Sequence, residues 1–232
     1  MSAYRRYEIS EIVFEQRARM CARLRDAGIN ANCVVVADDD NLALAEQNGF
    51  ASIRQENDGL GARYNAGYRF AAAQGADFVS LVGSNSFLDP EPILAAIPED
   101  GRHITYSEMH AFVNETGTRR ADVRLAYLGG HRTIFPLALL AGCDYRPIPD
   151  GSAQADTWLV RSLCKCTPDA RWEIRNGHSL EAVGFKTGTP QLRSYSLVVR
   201  RFGGVETDDP FGDLRSVYPG DLVDRIEAFY RG

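Results

Sequence analysis

Residues 33–41, CVVVADDDN, carry the pattern that decides the predicted fold. Cys33 to Ala37 is a short apolar run with three consecutive valines, which is typical of a strand buried on both faces of a sheet. The run ends in Asp38 to Asp40, and a short helix is predicted directly afterwards, from Leu42 to Asn48. A buried strand followed at once by a helix predicts a βαβ unit.

The same alternation continues along the chain. A second strand is predicted at Ala51 to Ile53, a turn at Asn57 to Gly61, a helix at Ala62 to Gln74 and another buried strand at Asp77 to Val82. Strands and helices that alternate at this spacing predict an α/β fold with a mainly parallel central sheet.

Outside this region the periodicity is looser. A long helix is predicted at Tyr7 to Ala27, where Gly28 supplies a stop. Further strands are predicted at 103–113, 124–128 and 171–174, and further helices at 93–97, 134–141, 156–164 and 221–230. We find no internal repeat and no linker rich enough to mark a boundary, so the sequence predicts one domain over residues 1–232.

The composition narrows the class of protein. The chain has 232 residues, 44% of them hydrophobic and 25% charged, which is enough to bury a substantial core. The longest apolar run, Phe135 to Cys143, is too short to span a bilayer, and the N-terminus lacks the apolar stretch of a signal peptide. A net charge of -5 disfavours charge-driven binding to nucleic acid. We therefore expect a cytoplasmic protein that makes no membrane contact, with five reduced cysteines.

Three polar clusters follow predicted strands, at residues 38–41, 57–61 and 83–86. Ligands of open parallel sheets bind beyond the carboxyl ends of the strands. Acidic side chains there can accept hydrogen bonds from a base or a ribose, and a glycine-rich turn that opens a helix can direct backbone amides at a pyrophosphate. The alternative is that these residues only cap helices and form turns, because caps and turns use the same residue types.

The order of the segments indicates a family. The succession CVVVADDDN (33–41), RQENDGLGARYNAG (54–67) and AAAQGADFVSLVGSNSFLDP (71–90) resembles the nucleotide-binding half of a GT-A glycosyltransferase. More narrowly, it is similar to a family-2-type enzyme of the kind carried by phages of actinobacteria. The resemblance continues more weakly through QADTWLVRSL (154–163) and NGHSLEAVGFKTG (176–188), and it covers roughly residues 4 to 190.

The resemblance implies a division of the chain and a reaction. It implies a nucleotide-binding half over about 1–100, an acceptor half over about 101–190 and a C-terminal extension over 191–232. It implies transfer of a sugar from a nucleotide-diphosphate donor to a hydroxyl acceptor, with inversion at the sugar carbon. In a phage, the acceptor would be a modified DNA base or a virion protein, and the reaction would occur in the host cytoplasm.

The resemblance also assigns residues. Asp38 and Asp39 would lie against the base of the donor nucleotide, and Arg63 would meet its diphosphate. Asp156 would be the catalytic base, although a helix N-cap is an equal alternative for this residue. The remaining positions implied to bind the donor are Asn57, Asn65, Gly83, Ser84 and Asn85.

Two features depart from the family pattern. Residues 83–86 (GSNS) replace the acidic motif that holds a divalent metal, and neutral oxygens are poor ligands for Mn²⁺ or Mg²⁺. Asn85 and His178 remain as candidate ligands, so metal binding is expected to be weak or absent. The family's apolar first strand is also missing, which predicts a truncated start or a replacement strand. Both departures support an alternative, a degenerate GT-A-like domain that binds a nucleotide or sugar, or serves structurally, without catalysis.

Two tryptophans are candidates for stacking. Trp158 and Trp172 could each lie against a sugar or a base, although packing in the core is the commoner use of a tryptophan.

Overall fold

The computed structural model describes residues 7–37, 41–56, 59–96, 103–107, 109–124, 133–152, 154–166, 171–175, 182–185, 195, 199–200 and 203–232. In the N-terminal part, the elements in chain order are α1 (Tyr7–Asp26), β1 (Val34–Ala37), α2 (Asn41–Gln47), β2 (Ala51–Arg54), α3 (Leu60–Ala73), β3 (Phe78–Ser80), β4 (Ser86–Leu88) and α4 (Pro90–Ala96).

The remaining elements alternate less regularly. They are β5 (His103–Ser107), β6 (Met109–Val113), β7 (Arg120–Arg124), β8 (Thr133–Pro136), a 3-10 helix (Leu137–Cys143), α5 (Ala155–Cys166), β9 (Arg171–Arg175), β10 (Ala182–Phe185), β11 (Val205–Thr207), α6 (Leu214–Val217) and α7 (Gly220–Arg231).

The predicted α/β fold class is confirmed, and its clearest unit is β1–α2–β2. The two strands are parallel, with Val34 opposite Ala51 and Ala37 opposite Arg54. Val35, Val36 and Ala37 are buried, as the apolar run predicts. Parallel neighbours need a crossover connection, and α2 supplies it.

The other described strands form two mixed sheets. One has the order β3-β8-β5-β9 and the other the order β11-β7-β6-β10-β4. The pairs β5–β9 and β6–β10 are parallel, whereas five further pairs are antiparallel. The sequence predicts a mainly parallel sheet, and the antiparallel pairs have a local cause. Strands β6 and β7, for example, are joined by the tight turn 114–119, which is too short for a crossover.

Some predicted elements need correction. The helix predicted at 134–141 is instead strand β8 followed by the 3-10 helix, because Ile134 and Phe135 pair with β3 and are buried there. A short apolar run does not by itself distinguish a buried strand from a buried helix. Of the strand predicted at 124–128, Arg124 is the last residue of β7, and residues 125–128 lie outside the described residues. Strand β4 was not predicted.

The first strand that the family has and this chain lacks would lie between β1 and β3. Within the described part of the chain, β1 has β2 as its strand neighbour and β3 has β8. The replacement strand predicted to lie between β1 and β3 is therefore not among the described pairings.

Helix α1 separates two clusters of buried side chains. Phe14, Cys21 and Leu24 pack with β1 and α2. Ile9 and Val13 pack with β10 and α7. All five cysteines are free thiols. No helix in the described ranges is long and apolar enough to cross a membrane.

Two polar side chains of α1 cover the outer edge of β4. Gln16 donates through Nε2 to the Leu88 carbonyl oxygen at 2.6 Å and accepts the Leu88 amide at 3.4 Å through Oε1. Arg17 donates to the Ser86 carbonyl oxygen at 2.8 Å. Both side chains are almost fully buried. An edge strand presents unpaired amides and carbonyls, and here side chains take the place of a neighbouring strand.

Replacing Gln16 with leucine tests this role. Gln16→Leu leaves the buried Leu88 backbone groups without a partner, so we expect the free energy of unfolding to fall by about 2 kcal/mol. Urea denaturation monitored by circular dichroism measures the change. Gln47→Leu makes the same replacement at an exposed position of α2 and should stay within about 0.5 kcal/mol of wild type. Equal effects of the two variants would contradict the assignment.

Candidate functional site

The carboxyl ends of β1 and β2 coincide at one edge of their sheet. Ala37 lies opposite Arg54, and the Gln55 amide donates to the Ala37 carbonyl oxygen at 2.9 Å. Residues 38–40 connect this buried strand end to Asn41, which is 1% exposed at the start of α2. Asp38 and Asp39 themselves lie outside the described residues.

The first turn of α3 is docked on the loop of residues 148–152, hereafter the 148–152 loop. The Gly61 amide donates to the Ser152 carbonyl oxygen at 3.2 Å, and the Ala62 amide donates to the Asp150 carbonyl oxygen at 3.1 Å. The first amides of a helix have no partner within the helix. The loop therefore satisfies two amides that were predicted to be directed at a pyrophosphate, and a diphosphate would compete with it for them.

Asn65 reinforces the same contact. Its Nδ2 donates to the Ile148 carbonyl oxygen at 2.6 Å and to Asp150 Oδ1 at 2.9 Å, while its Oδ1 accepts the Ile148 amide at 3.3 Å. Asn65 is 1% exposed, so burial makes each of these bonds costly to lose. The hydrogen bond from Asn65 also holds the pKa of the Asp150 carboxyl below its ordinary value, with a further contribution from Arg146. The side chain predicted to bind the donor thus joins α3 to the loop.

Two glycines allow the close approach. A Cβ on Gly61 would lie 2.0 Å from the Pro149 carbonyl oxygen, and one on Gly59 would lie 2.6 Å from that of Asp150. Gly59 also has a φ of +113°, in the region that favours glycine. The glycine-rich turn noted in the sequence is therefore required by a backbone–backbone contact.

Arg63 follows in the same helix and is almost completely buried. Only 2% of its surface is exposed. A diphosphate reaches this guanidinium only if the residues that cover it move. The burial distinguishes Arg63 from the solvated arginines of the chain.

Residues 83–85 lie just beyond β3 and are anchored to β10. Asn85 donates through Nδ2 to the Phe185 carbonyl oxygen at 2.8 Å, and the Phe185 amide donates back to the Asn85 carbonyl oxygen at 2.8 Å. Ser84 is 4% exposed, and a Cβ on Gly83 would lie 3.1 Å from Asn85 Oδ1. Asn85 therefore holds two strands together, which leaves Oδ1 as its available oxygen.

The described residues at this position do not fit a divalent metal. The nearest carboxylate in sequence, Asp89, accepts the Glu91 amide at 2.9 Å and so caps α4, and burial raises its pKa. No group of three or more His, Cys, Asp or Glu suited to a metal occurs in the part of the chain that the structure describes. His178, the other predicted ligand, lies outside that part. Hard cations prefer charged oxygens, and residues 83–86 offer only neutral ones.

Asp156 is the second residue of α5, which begins three residues after the 148–152 loop. Ala155, which precedes it, is 2% exposed and packs in the core. Ile148, Ala155, Tyr64 of α3 and Leu81 after β3 belong to one buried cluster. The structure thus brings together three segments that the sequence assigned to the site: the start of α3, the end of β3 and the start of α5. Asn57 lies outside the described residues.

Sequence reasoning missed the 148–152 loop. Its sequence, IPDGS, contains a proline and an Asp-Gly pair, which indicate a turn but not its contacts. Asp150 is bonded to both Asn65 and Arg146, the latter at 2.7 Å. Asn65 lies 85 residues from Asp150, and Arg146 lies close to it but not in a helix, so no periodic pattern in the sequence predicts either contact.

The chain has little measurable similarity to known proteins. No family model matches it, and the search of curated proteins finds no match. Ten chains of solved structures do match. One of them is described as a mannose-1-phosphate geranyltransferase from Thermus thermophilus, with 13% sequence identity, a TM-score of 0.39 and coverage of 75% of this chain. The match spans 64% of that protein's length.

Gly61→Ala tests the docking of α3. The added methyl group would collide with the Pro149 backbone, so we expect the free energy of unfolding to fall by about 2–3 kcal/mol. Gly151→Ala is the matched control, because it lies in the same loop and its Cβ would meet nothing within 4 Å. Thermal and urea unfolding of both variants measure the difference. A Gly61→Ala protein as stable as Gly151→Ala would show that the contact is absent.

Proposed function

We propose that the protein is a nucleotide-sugar-dependent glycosyltransferase of the GT-A type that acts on a hydroxyl acceptor with inversion. The observation that carries the proposal is the buried cluster that joins Tyr64 of α3, Leu81 after β3 and Ala155 of α5. It brings the segment that resembles a donor-binding motif next to the helix that begins at Ala155 and contains Asp156. Group transfer requires that the donor-binding residues and the catalytic base lie close enough to hold both reactants together.

The donor nucleotide would occupy the carboxyl edge of β1 and β2. Asp38 and Asp39 would accept hydrogen bonds from the base and the ribose, because they connect the end of β1 to α2 at that edge. Asn57 and Ser84 would complete the polar lining of the site. Asn65 would hold the 148–152 loop beside it, and Gly83 would leave room next to Asn85. Ligands of parallel sheets lie beyond this end of the strands.

Asp156 would act as the general base. Its carboxylate would take the proton of the acceptor hydroxyl as that oxygen attacks the anomeric carbon of the donor sugar. The bond from this carbon to the diphosphate oxygen breaks on the opposite face, so the configuration inverts. The nucleoside diphosphate leaves with the electron pair.

The leaving diphosphate needs positive charge, and an arginine would supply it in place of a metal. Gly83, Ser84 and Asn85 offer only neutral oxygens, whereas Arg63 lies in the first turn of α3. Binding of the donor would have to expose Arg63 and displace the loop from the Gly61 and Ala62 amides. A role for Mn²⁺ or Mg²⁺ through Asn85 and His178 is the less favoured arrangement.

A second candidate is a GT-A-like protein that binds a nucleotide or sugar, or serves structurally, without transfer. The burial of Arg63 and the occupation of two α3 amides by the loop favour it. The two candidates share the fold and differ in turnover. The acceptor under the first candidate would be a modified DNA base or a virion protein in a host cytoplasm, without membrane contact.

The proposal is tested by calorimetric titration with UDP, GDP, CDP and dTDP, with and without Mn²⁺. One nucleotide should bind with a Kd in the micromolar range, and Mn²⁺ should change it less than about threefold. Asp39→Ala should weaken binding about tenfold through loss of a charge-assisted hydrogen bond. Asp26→Ala, at the exposed end of α1, is the control and should bind as wild type does.

The same nucleotide identifies the donors for a turnover assay. Asp156→Asn should keep nucleotide binding and lose at least about 100-fold in kcat. Asp221→Asn is matched to it, because Asp221 is the second residue of α7. Both changes remove a carboxylate from a helix start, so any shared loss reports stability. Binding without turnover in wild type would favour the second candidate, and no binding of any nucleotide would contradict both.

A further inference from the structure

An open cavity of about 420 Å³ lies between α5 and the segment 146–150. Its volume is in the range of small-ligand sites. The helix contributes one face to it, whereas Leu159 and Leu163 of the same helix are fully buried in the core. The side chains relevant to binding are Arg146, Asp150, Trp158, Arg161, Ser162 and Lys165.

The carboxylate in this cavity is already neutralised. Asp150 pairs with Arg146 at 2.7 Å and accepts Asn65 Nδ2 at 2.9 Å. These contacts hold the pKa of Asp150 below its ordinary value, the Asn65 hydrogen bond being the largest cause. The charge of Asp150 is therefore balanced by Arg146, and it does not balance the other cations of the cavity.

Two other cations line the cavity, Arg161 and Lys165. Within the described residues, no carboxylate pairs with either of them, although several other helical arginines have such a partner. They stand four residues apart on α5, where like charges repel each other. The dipole of the helix favours Lys165 in the last turn but gives no reason for Arg161. An anion bound between them would relieve the repulsion, in a protein whose net charge is -5.

Trp158 adds a flat aromatic surface to the same cavity. The guanidinium carbon of Arg161 lies 5.4 Å from the centre of the indole ring, close enough for a cation–π contact. This contact holds the guanidinium in place beside the ring, so less side-chain freedom is lost when a ligand binds. Ser162 is anchored by donating to the Pro147 carbonyl oxygen at 2.7 Å. The indole packs partly against the core and is otherwise partly exposed, so a base would meet its exposed part.

We propose that this cavity is a second ligand site that takes a nucleoside phosphate, with the phosphate on Arg161 and Lys165 and the base against Trp158. Cations next to an aromatic ring match the two parts of a nucleotide. The cavity shares the 148–152 loop with the proposed donor site, but the groups that would bind this ligand, Trp158, Arg161 and Lys165, all belong to α5. The nucleotide would be either free or part of a single strand, and the experiment distinguishes these sources.

The test uses Trp158 as its own reporter. Trp172→Phe removes the other tryptophan of the chain, so fluorescence then comes from position 158 alone. UMP and AMP should quench this fluorescence saturably, whereas uridine and inorganic phosphate should each bind about tenfold more weakly. A four-nucleotide DNA strand that binds more tightly than UMP would assign the site to strands, and weaker binding would assign it to free nucleotides. Calorimetry of the wild-type protein with the same probes gives the Kd independently.

The double variant Arg161→Gln/Lys165→Gln should raise the Kd for UMP about tenfold or more. Arg25→Gln/Arg231→Gln removes the same charge from exposed positions of α1 and α7 and should bind as wild type does. The proposal is overturned if no probe binds saturably, if inorganic phosphate binds as tightly as UMP, or if the two double variants behave alike. It is overturned as well if only Asp39→Ala abolishes UMP binding, because the ligand then lies at the strand ends.

Discussion

The contact between the first turn of α3 and the 148–152 loop is the constraint on which the proposed site depends. Two helix amides, one buried asparagine and two glycines that permit close approach all act in the same place. Because α5 begins at Ala155, three residues after the loop, this contact also restricts where that helix can begin. The contact therefore places the segment that resembles a donor site next to the segment that contains Asp156. It forms whether or not either segment holds a ligand.

The loop region has a different role on its two sides. On the side of α3 it accepts hydrogen bonds from two helix amides and from the Asn65 side chain. On the side of α5, Asp150 and the preceding Arg146 line the cavity. Asp150 belongs to both sides, since it bonds to Asn65 and to Arg146. A ligand that moved this loop would thus change the surroundings of both proposed sites. A diphosphate and the loop would compete for the α3 amides. Glycosyl transfer as proposed therefore requires that donor binding displace the loop.

The part of the fold that follows from local pattern was predictable. The buried valines of β1 and the end of α1 near Gly28 are determined by residues close to them in the sequence, and the structure has these elements nearly where they were predicted. The β8 segment was mispredicted because its burial depends on β3, more than 50 residues earlier in the chain. The partners of Asn65 and Asn85 lie 83 to 100 residues away, so their anchoring roles leave no mark in the local sequence. The roles assigned to Asp38, Asp39, Asn57, Asp156 and His178 stay predictions.

The most direct measurement is amide hydrogen exchange at Gly61 and Ala62, followed by NMR. Amides in the first turn of a helix ordinarily exchange fast, because they have no partner within the helix. If the loop accepts them, both should exchange as slowly as the amides in the middle of α3, and a bound nucleoside diphosphate should change their rates. Fast exchange at these two positions, with the rest of α3 protected, would contradict the docking of α3 and the arrangement of the proposed site.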